Sequence, residues 1–314
     1  MNGRDWLLAA VVVALLGTAT AVGQIVQRQP HLGLNAAALT TFNRRVRVWW
    51  IFYALLLVAF FSPPLTVAIF GLMSFEALRE FITLTPTRRA DHRALFWTLI
   101  FFTPMQYIFV AYNYYALYSI FIPVYAFLFI PARVAMAGDY KRFLERVAKI
   151  QSGLLICVYC LSFAPALLYL DIPNATTGAK ARLLFFFVTM ALLSEAFQFA
   201  WSQLYGRHVI APTINATRTW EGLVGGSAST ALAGMVLWWA TPFDQLWQAA
   251  FMAMVVAVMG FAGAMTMSAI KRDRGVRDYG TLVEGHGGVL DRIDAICFAA
   301  PVFYHITRQI FEIK

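Results

Sequence analysis

Charge is what this chain has least of. Only 13% of its 314 residues are Asp, Glu, Lys or Arg, against about 25% in soluble proteins, while 60% are hydrophobic. That shortage, with a mean hydropathy of +0.65, excludes an ordinary water-soluble enzyme. Cysteine is scarce as well. Cys157 and Cys160 have a CxxC spacing but stand inside an apolar run, with no second pair to complete a zinc site. They read as small buried helix residues, and Cys297 sits in a similar apolar setting, so nothing argues for a disulfide. Internal repeats, low-complexity tracts and stretches polar enough for a soluble domain are all absent from the sequence.

Apolar runs take their place, at 6–26, 48–61, 65–81, 95–111, 114–132, 150–170, 183–203, 223–240, 246–270 and 295–310. A helix needs about 20 such residues to cross a hydrocarbon core, and backbone facing lipid must be helical. The expected fold is an all-α polytopic membrane protein with about nine to ten transmembrane helices in a lipid bilayer. The first run reads as a retained helix, because Arg4 beside Asp5 makes a scarcely basic start for a secretory signal. A basic stretch at 138–149 reads as a helix lying along the interface.

The net charge of +9 would suit nucleic acid, but the cations sit in short loops between apolar runs. Topology hinges on Ser62-Pro63-Pro64, since a Pro-Pro pair breaks a helix. If the chain reverses there, twenty of the 25 cations fall on one side of the membrane and both termini on the other. That distribution obeys the positive-inside rule, which makes the cation-rich side cytoplasmic; no nucleic-acid partner is expected. The run at 48–61 is the awkward one. At about 21 Å of helical rise it is short for a span, so a re-entrant segment stays open there.

Two polar segments fall on the cation-rich side. One contains Asn215-Ala216-Thr217-Arg218-Thr219-Trp220-Glu221-Gly222 followed by Gly225-Gly226. The other runs from Ser268 to Asp294 and gathers Lys271, Arg272, Arg277, Asp278, Gly285, His286, Gly287, Gly288, Asp291, Arg292 and Asp294. Cations, carboxylates and glycines concentrated in one loop suit phosphate chemistry. Arginine clamps phosphate oxygens in bidentate fashion, glycine lets backbone amides approach, and magnesium binds one or two carboxylates plus substrate phosphates. Each residue also has a plainer reading: Asp294 as a helix cap, Asp291 as a partner of Arg292 or Arg272, His286 as a turn residue. Glu195, an ionisable group in an apolar run, is balanced between a functional role and that of a neutral buried acid.

This pattern resembles the C-terminal motif of the CDP-diacylglycerol synthase (phosphatidate cytidylyltransferase) family, in a divergent branch. Ser268, Lys271, Arg272, Asp278, Gly280, Gly285, His286, Gly287, Gly288, Asp291, Arg292 and Asp294 stand in register with it, and Arg218, Thr219, Glu221, Gly222, Gly225 and Gly226 match an upstream motif. The resemblance implies transfer of a cytidylyl group from CTP to phosphatidate, with magnesium as cofactor, giving CDP-diacylglycerol and pyrophosphate. It implies catalytic roles for Lys271, Arg272, Asp278, His286, Asp291, Arg292 and Asp294. Substrate binding would fall to Arg218, Thr219, Glu221, Ser268, Arg277, Gly285, Gly287 and Gly288, and metal binding to Asp278, Asp291, Asp294 and Glu195. Residues 1–182 would be N-terminal transmembrane helices and 183–314 the transmembrane catalytic region of one integral unit. The site would face the cytoplasm of a bacterial inner membrane, and a homodimer is among the arrangements the sequence allows.

The departures are specific. Ala264 stands where the family has an aspartate implied to bind metal, Arg277 replaces a lysine, and Glu284 replaces a proline. Ser194-Glu195 stands for an Asn-Asp on an earlier helix. Transfer to another lipid phosphate, and a catalytically weakened homologue that binds lipid phosphate, therefore remain as alternatives. A transporter fits less well, because the charges cluster in loops rather than at mid-membrane.

Overall fold

The computed structural model describes residues 3–27, 36–84, 88–173, 175–276, 279 and 288–312. Among these residues the chain forms ten helical rods and one small ribbon. The rods are α1 (Gly3–Gln27), α2 (Ala36–Phe61), α3 (Pro63–Thr83), α4 (Arg89–Ala111) and α5 (Tyr115–Ala135). They continue with α6 (Phe143–Tyr169), α7 (Thr177–Tyr205), α8 (Trp220–Val236), α9 (Leu246–Asp273) and α10 (Leu290–Glu312). The ribbon pairs β1 (Val209–Ala211) with β2 (Asn215–Thr219), antiparallel, between α7 and α8.

Five rods, α4, α5, α6, α7 and α9, are long and apolar enough to cross a membrane. This is a membrane protein of almost wholly helical build. Of the others, α8 has only 17 residues, and α10 carries Asp291, Arg292, Asp294, Arg308 and Glu312 along its length.

The helix holding the awkward apolar run starts much earlier than hydropathy suggests. α2 begins at Ala36 and has 26 residues, about 39 Å of helical rise, so its cationic first half is helical as well. It stops at Phe61. Ser62 adopts an extended conformation, its hydroxyl accepts from the Leu65 N–H, and Pro63 and Pro64 occupy the first turn of α3. Proline suits that position, where a backbone N–H has no helical partner. The chain reverses here: Trp49 lies beside Asp291 in one cavity, and Glu80 meets the backbone of Val289 and Leu290. The middle of α2 and the C-terminal end of α3 thus both lie near the start of α10.

The interface helix expected at 138–149 is not a separate element. Residues 136–142 form a turn, and the helix that starts at Phe143 is the first part of α6. Its amphipathic start is held by a buried ion pair. Arg146 donates from Nε and Nη2 to Asp91, at 2.8–3.1 Å, and from Nη1 to the carbonyls of Asp139 and Lys141. Arg88 bonds Asp139 in turn and holds its carboxyl below the usual range.

Wide π turns interrupt α4, α5 and α6 at Thr98–Phe102, Phe121–Ala126 and Leu155–Cys160. Carbonyls released there find side chains: Thr103 Oγ1 donates to Thr98 O, and Ser74 Oγ donates to Cys157 O. All three cysteines are unbonded to one another, as their apolar settings suggested.

α7, α8, α9 and α10 pack chiefly on each other. Glycine makes this possible. A Cβ at Gly222, Gly225 or Gly226 would overlap Ser202, Trp201 or Gln198 of α7, and one at Gly234 would overlap Ala253 of α9. The glycines of the upstream motif are thus a helix-packing face, the small-residue contact that lets membrane helices approach closely.

Candidate active site

At the loop-rich end of the bundle lies a polar cavity of about 180 Å³. Glu195 from α7, Arg218 from β2, and Asp291, Arg292 and Asp294 from α10 line it, with Trp49 of α2 along one wall. Three separate elements therefore deliver two cations and three carboxylates to one small space, and a fourth supplies an aromatic wall.

Each side chain arrives by a traceable route. Asp291 and Asp294 are three residues apart on the first turn of α10, so they share a face. Glu195 and Gln198 have the same spacing on α7. Gln198 is buried; its Nε2 donates to Ala257 O and its Oε1 accepts from Arg218 Nη1 at 3.0 Å. The Arg218 guanidinium also lies 5.7 Å from the centre of the Phe261 ring. That pairing fixes the cation at the cavity rim.

Asp291 is heavily engaged. Its Oδ1 accepts from Lys271 Nζ at 2.9 Å, and its Oδ2 accepts from the N–H groups of Tyr279 and Gly288. Lys271 in turn lies 5.5 Å from the centre of the Tyr279 ring, so Asp291 knits the end of α9 to the start of α10. Asp294 differs. It accepts from the adjacent Ala295 N–H and lines the cavity together with Glu195. It does not cap α10; that position belongs to Glu80 of α3, which accepts from Val289 and Leu290.

Other residues singled out by sequence act on the scaffold around the cavity. Thr219 is the N-cap of α8, accepting from Gly222 N–H at 3.0 Å and donating to Ser202. Glu221 accepts from the His208 ring at 2.5 Å and from the N–H groups of Arg207 and His208. Ser268 donates to Ala264 O and accepts from Asn215, while Arg272 donates to Ile214 O, so the ribbon is tied across the end of α9. Gly288 contributes its N–H to Asp291 and has no room for a side chain.

Arg277, Asp278, Gly285, His286 and Gly287, with Gly280 and Glu284 of the same loop, lie outside the described residues. Among the described residues, no three His, Cys, Asp or Glu side chains converge as a metal cluster. The pair Glu195 and Asp294 is what the cavity offers a cation. Ala264, where a further carboxylate was expected, is buried on α9; its neighbour Gly263 packs directly against the carbonyl of Asp294.

Glu80 and Gln198 were not singled out by sequence. Glu80 does carry the signal of an ionisable group near the end of an apolar helix. Gln198 carries none, since a glutamine one turn from Glu195 is unremarkable without knowledge of Arg218's position.

Comparison with known proteins bears on what the cavity does. A family described as the cytidylyltransferase family matches residues 43–310. An uncharacterised protein of Escherichia coli K12, YnbB, is 35% identical over 266 residues, which is 84% of this chain and 86% of that one. A phosphatidate cytidylyltransferase of Staphylococcus saprophyticus is 31% identical over 119 residues, 38% of this chain and 46% of its own length. A chloroplastic phosphatidate cytidylyltransferase of Arabidopsis thaliana is 32% identical over 205 residues, 56% of this chain and 50% of its own. The chain thus matches about half or less of either named enzyme.

Proposed function

Because the chain belongs to the cytidylyltransferase family, we propose that it transfers a cytidylyl group from CTP to phosphatidate, releasing pyrophosphate and CDP-diacylglycerol. The observation that carries this reading is the shared cavity, in which Arg218 and Arg292 stand with Glu195 and Asp294. Two phosphates that repel each other need cations between them, and two carboxylates in the same space need a cation of their own. A metal-bound triphosphate beside a lipid phosphate satisfies both demands.

In this reading an oxygen of the lipid phosphate attacks the α-phosphorus of CTP. The new P–O bond forms as the bond to the bridging oxygen breaks, and the electron pair leaves with pyrophosphate. Arg218, held by Gln198 and Phe261, and Arg292 fix the non-bridging oxygens. Such catalysis is positioning and charge stabilisation. Glu195 and Asp294 fit magnesium, being hard oxygen donors that leave room for waters and phosphates. When bound, the ion would neutralise the triphosphate and polarise the reacting phosphoryl group. Asp291, already bonded to Lys271 and two amides, holds the architecture instead. We place all ten rods across the bilayer of a bacterial inner membrane, with the cavity facing the cytoplasm.

Ala264 supports a second reading, in which transfer is weakened and binding of lipid phosphate remains. One experiment addresses both. Purified protein is given magnesium, CTP labelled at the α-phosphate, and vesicles carrying phosphatidate or another lipid phosphate. Label entering lipid only with phosphatidate is the expected result. Label with another lipid phosphate alone reassigns the substrate. Phosphatidate binding without label supports the second reading.

A further inference from the structure

We infer that Glu80 is a positioning residue of this site: its carboxylate, delivered by α3, caps the N-terminus of α10 and sets the turn that carries Asp291 and Asp294. The inference rests on the proposed transfer for its kinetic consequence, though not for its geometry.

Glu80 is 4% exposed, near the end of α3. Its Oε1 accepts from Val289 N–H and its Oε2 from Leu290 N–H, each at 2.9 Å. The first amides of a helix lack internal partners and form the positive end of its dipole, so a carboxylate is well matched there. Gly288 completes the fit, because a Cβ at that position would overlap the Glu80 carboxylate. A buried carboxylate without partners would be costly, and these amides are what stabilise this one.

The consequence concerns phosphate. A helix N-terminus following a glycine-rich loop is ordinarily a ready anion cradle. Here all three amides at the exit of the loop are taken by the chain's own carboxylates: Gly288 by Asp291, Val289 and Leu290 by Glu80. Among the described residues, Arg218 and Arg292 are the cavity's cations for substrate phosphate, while Glu80 fixes the pitch at which α10 presents Asp294 to Glu195. Because α3 is far from α10 in sequence, Glu80 also ties the N-terminal rods to the site.

The test compares wild type with Glu80→Ala and Glu80→Gln in intact, detergent-solubilised protein. We expect Glu80→Ala to lower kcat about 10²-fold, the scale of a roughly 1 Å misplacement, with KM for CTP little changed. Glu80→Gln, which keeps one of the two acceptor oxygens but sets an NH2 against the other N–H, should recover only part of that loss. Formate, small enough to enter the space left by the side chain, should raise kcat of Glu80→Ala, whereas chloride at equal ionic strength should not. Hydrogen exchange gives a readout independent of activity: the peptide spanning 288–292 should lose protection in Glu80→Ala. Should Glu80→Ala fail to fold, Glu80→Asp, which withdraws the carboxylate by one carbon, is expected to show the same kcat loss and faster exchange. Unchanged kcat in a folded Ala or Asp variant, a defect wholly in KM without formate response, or unchanged exchange would each overturn the inference. A wild type that transfers no label defeats the proposed function instead, and the exchange result still decides the role of Glu80.

Discussion

At the scale of single residues, the carboxylates divide by what already occupies them. Asp291, Asp294 and Glu195 all line the cavity, but Asp291 has its oxygens filled by Lys271 and two amides, whereas Asp294 accepts from the adjacent Ala295 N–H. Sequence placed both aspartates on one face of a helix, yet the difference between them depends on contacts from Lys271, Tyr279 and Gly288 that spacing does not reveal. Sequence offered Arg218 as a candidate phosphate cation and gave no sign of Gln198, which holds it, because amide chemistry carries no distinctive pattern. We expect Gln198→Ala to raise KM for CTP about tenfold, the loss of one charge-assisted hydrogen bond. Gln198→Glu should raise it less, since the acceptor is retained. Steady-state kinetics on the two variants, with unfolding temperatures alongside, checks this.

At the scale of elements, helix ends were the least legible feature. Hydropathy placed the start of one run at 48, but α2 begins at Ala36, because cationic residues near a membrane surface are compatible with helix and only the apolar half registers as a span. The same error made an interface helix of 138–149, where the first turns of α6 are amphipathic only until they enter the bundle. What secures that entry is the Arg146–Asp91 pair, 5% and 1% exposed. Asp91→Ala leaves the buried Arg146 with Asp139 as its remaining counter-ion, so it should cost up to about 3 kcal/mol, read as a lower unfolding temperature in detergent. Packing makes a second demand. Gly226 faces the backbone of Gln198, so Gly226→Val should destabilise the α7–α8 contact by about 1–3 kcal/mol. Gly17→Ala, with nothing within 4 Å, should leave stability unchanged. The glycine motif was readable as a motif, while its packing role needed the neighbouring helix.

At the scale of the whole molecule, the reversal at Ser62 was the decision that mattered, and it could be read from two prolines and a cation count. The structure reverses the chain there and brings the middle of α2 and the end of α3 to the start of α10. On the opposite end, Leu7, Arg182, Trp238 and Phe311 line a separate cavity of about 780 Å³. The two ends of the bundle are thus chemically distinct. On the proposed orientation of the cavity toward the cytoplasm, a cysteine replacing Asp273 should react with a membrane-impermeant thiol reagent only from the cytoplasmic side. One replacing Asp171 should react only from the opposite side.

The central claim is that the cavity of Glu195, Arg218, Arg292 and Asp294 carries out cytidylyl transfer. It is tested most directly by single-turnover transfer of α-labelled CTP to phosphatidate in wild type, Glu195→Gln and Asp294→Asn, each verified as folded. The account predicts label in the lipid with wild type and a loss of at least about 10²-fold in both variants. Transfer at the wild-type rate in either folded variant would contradict it.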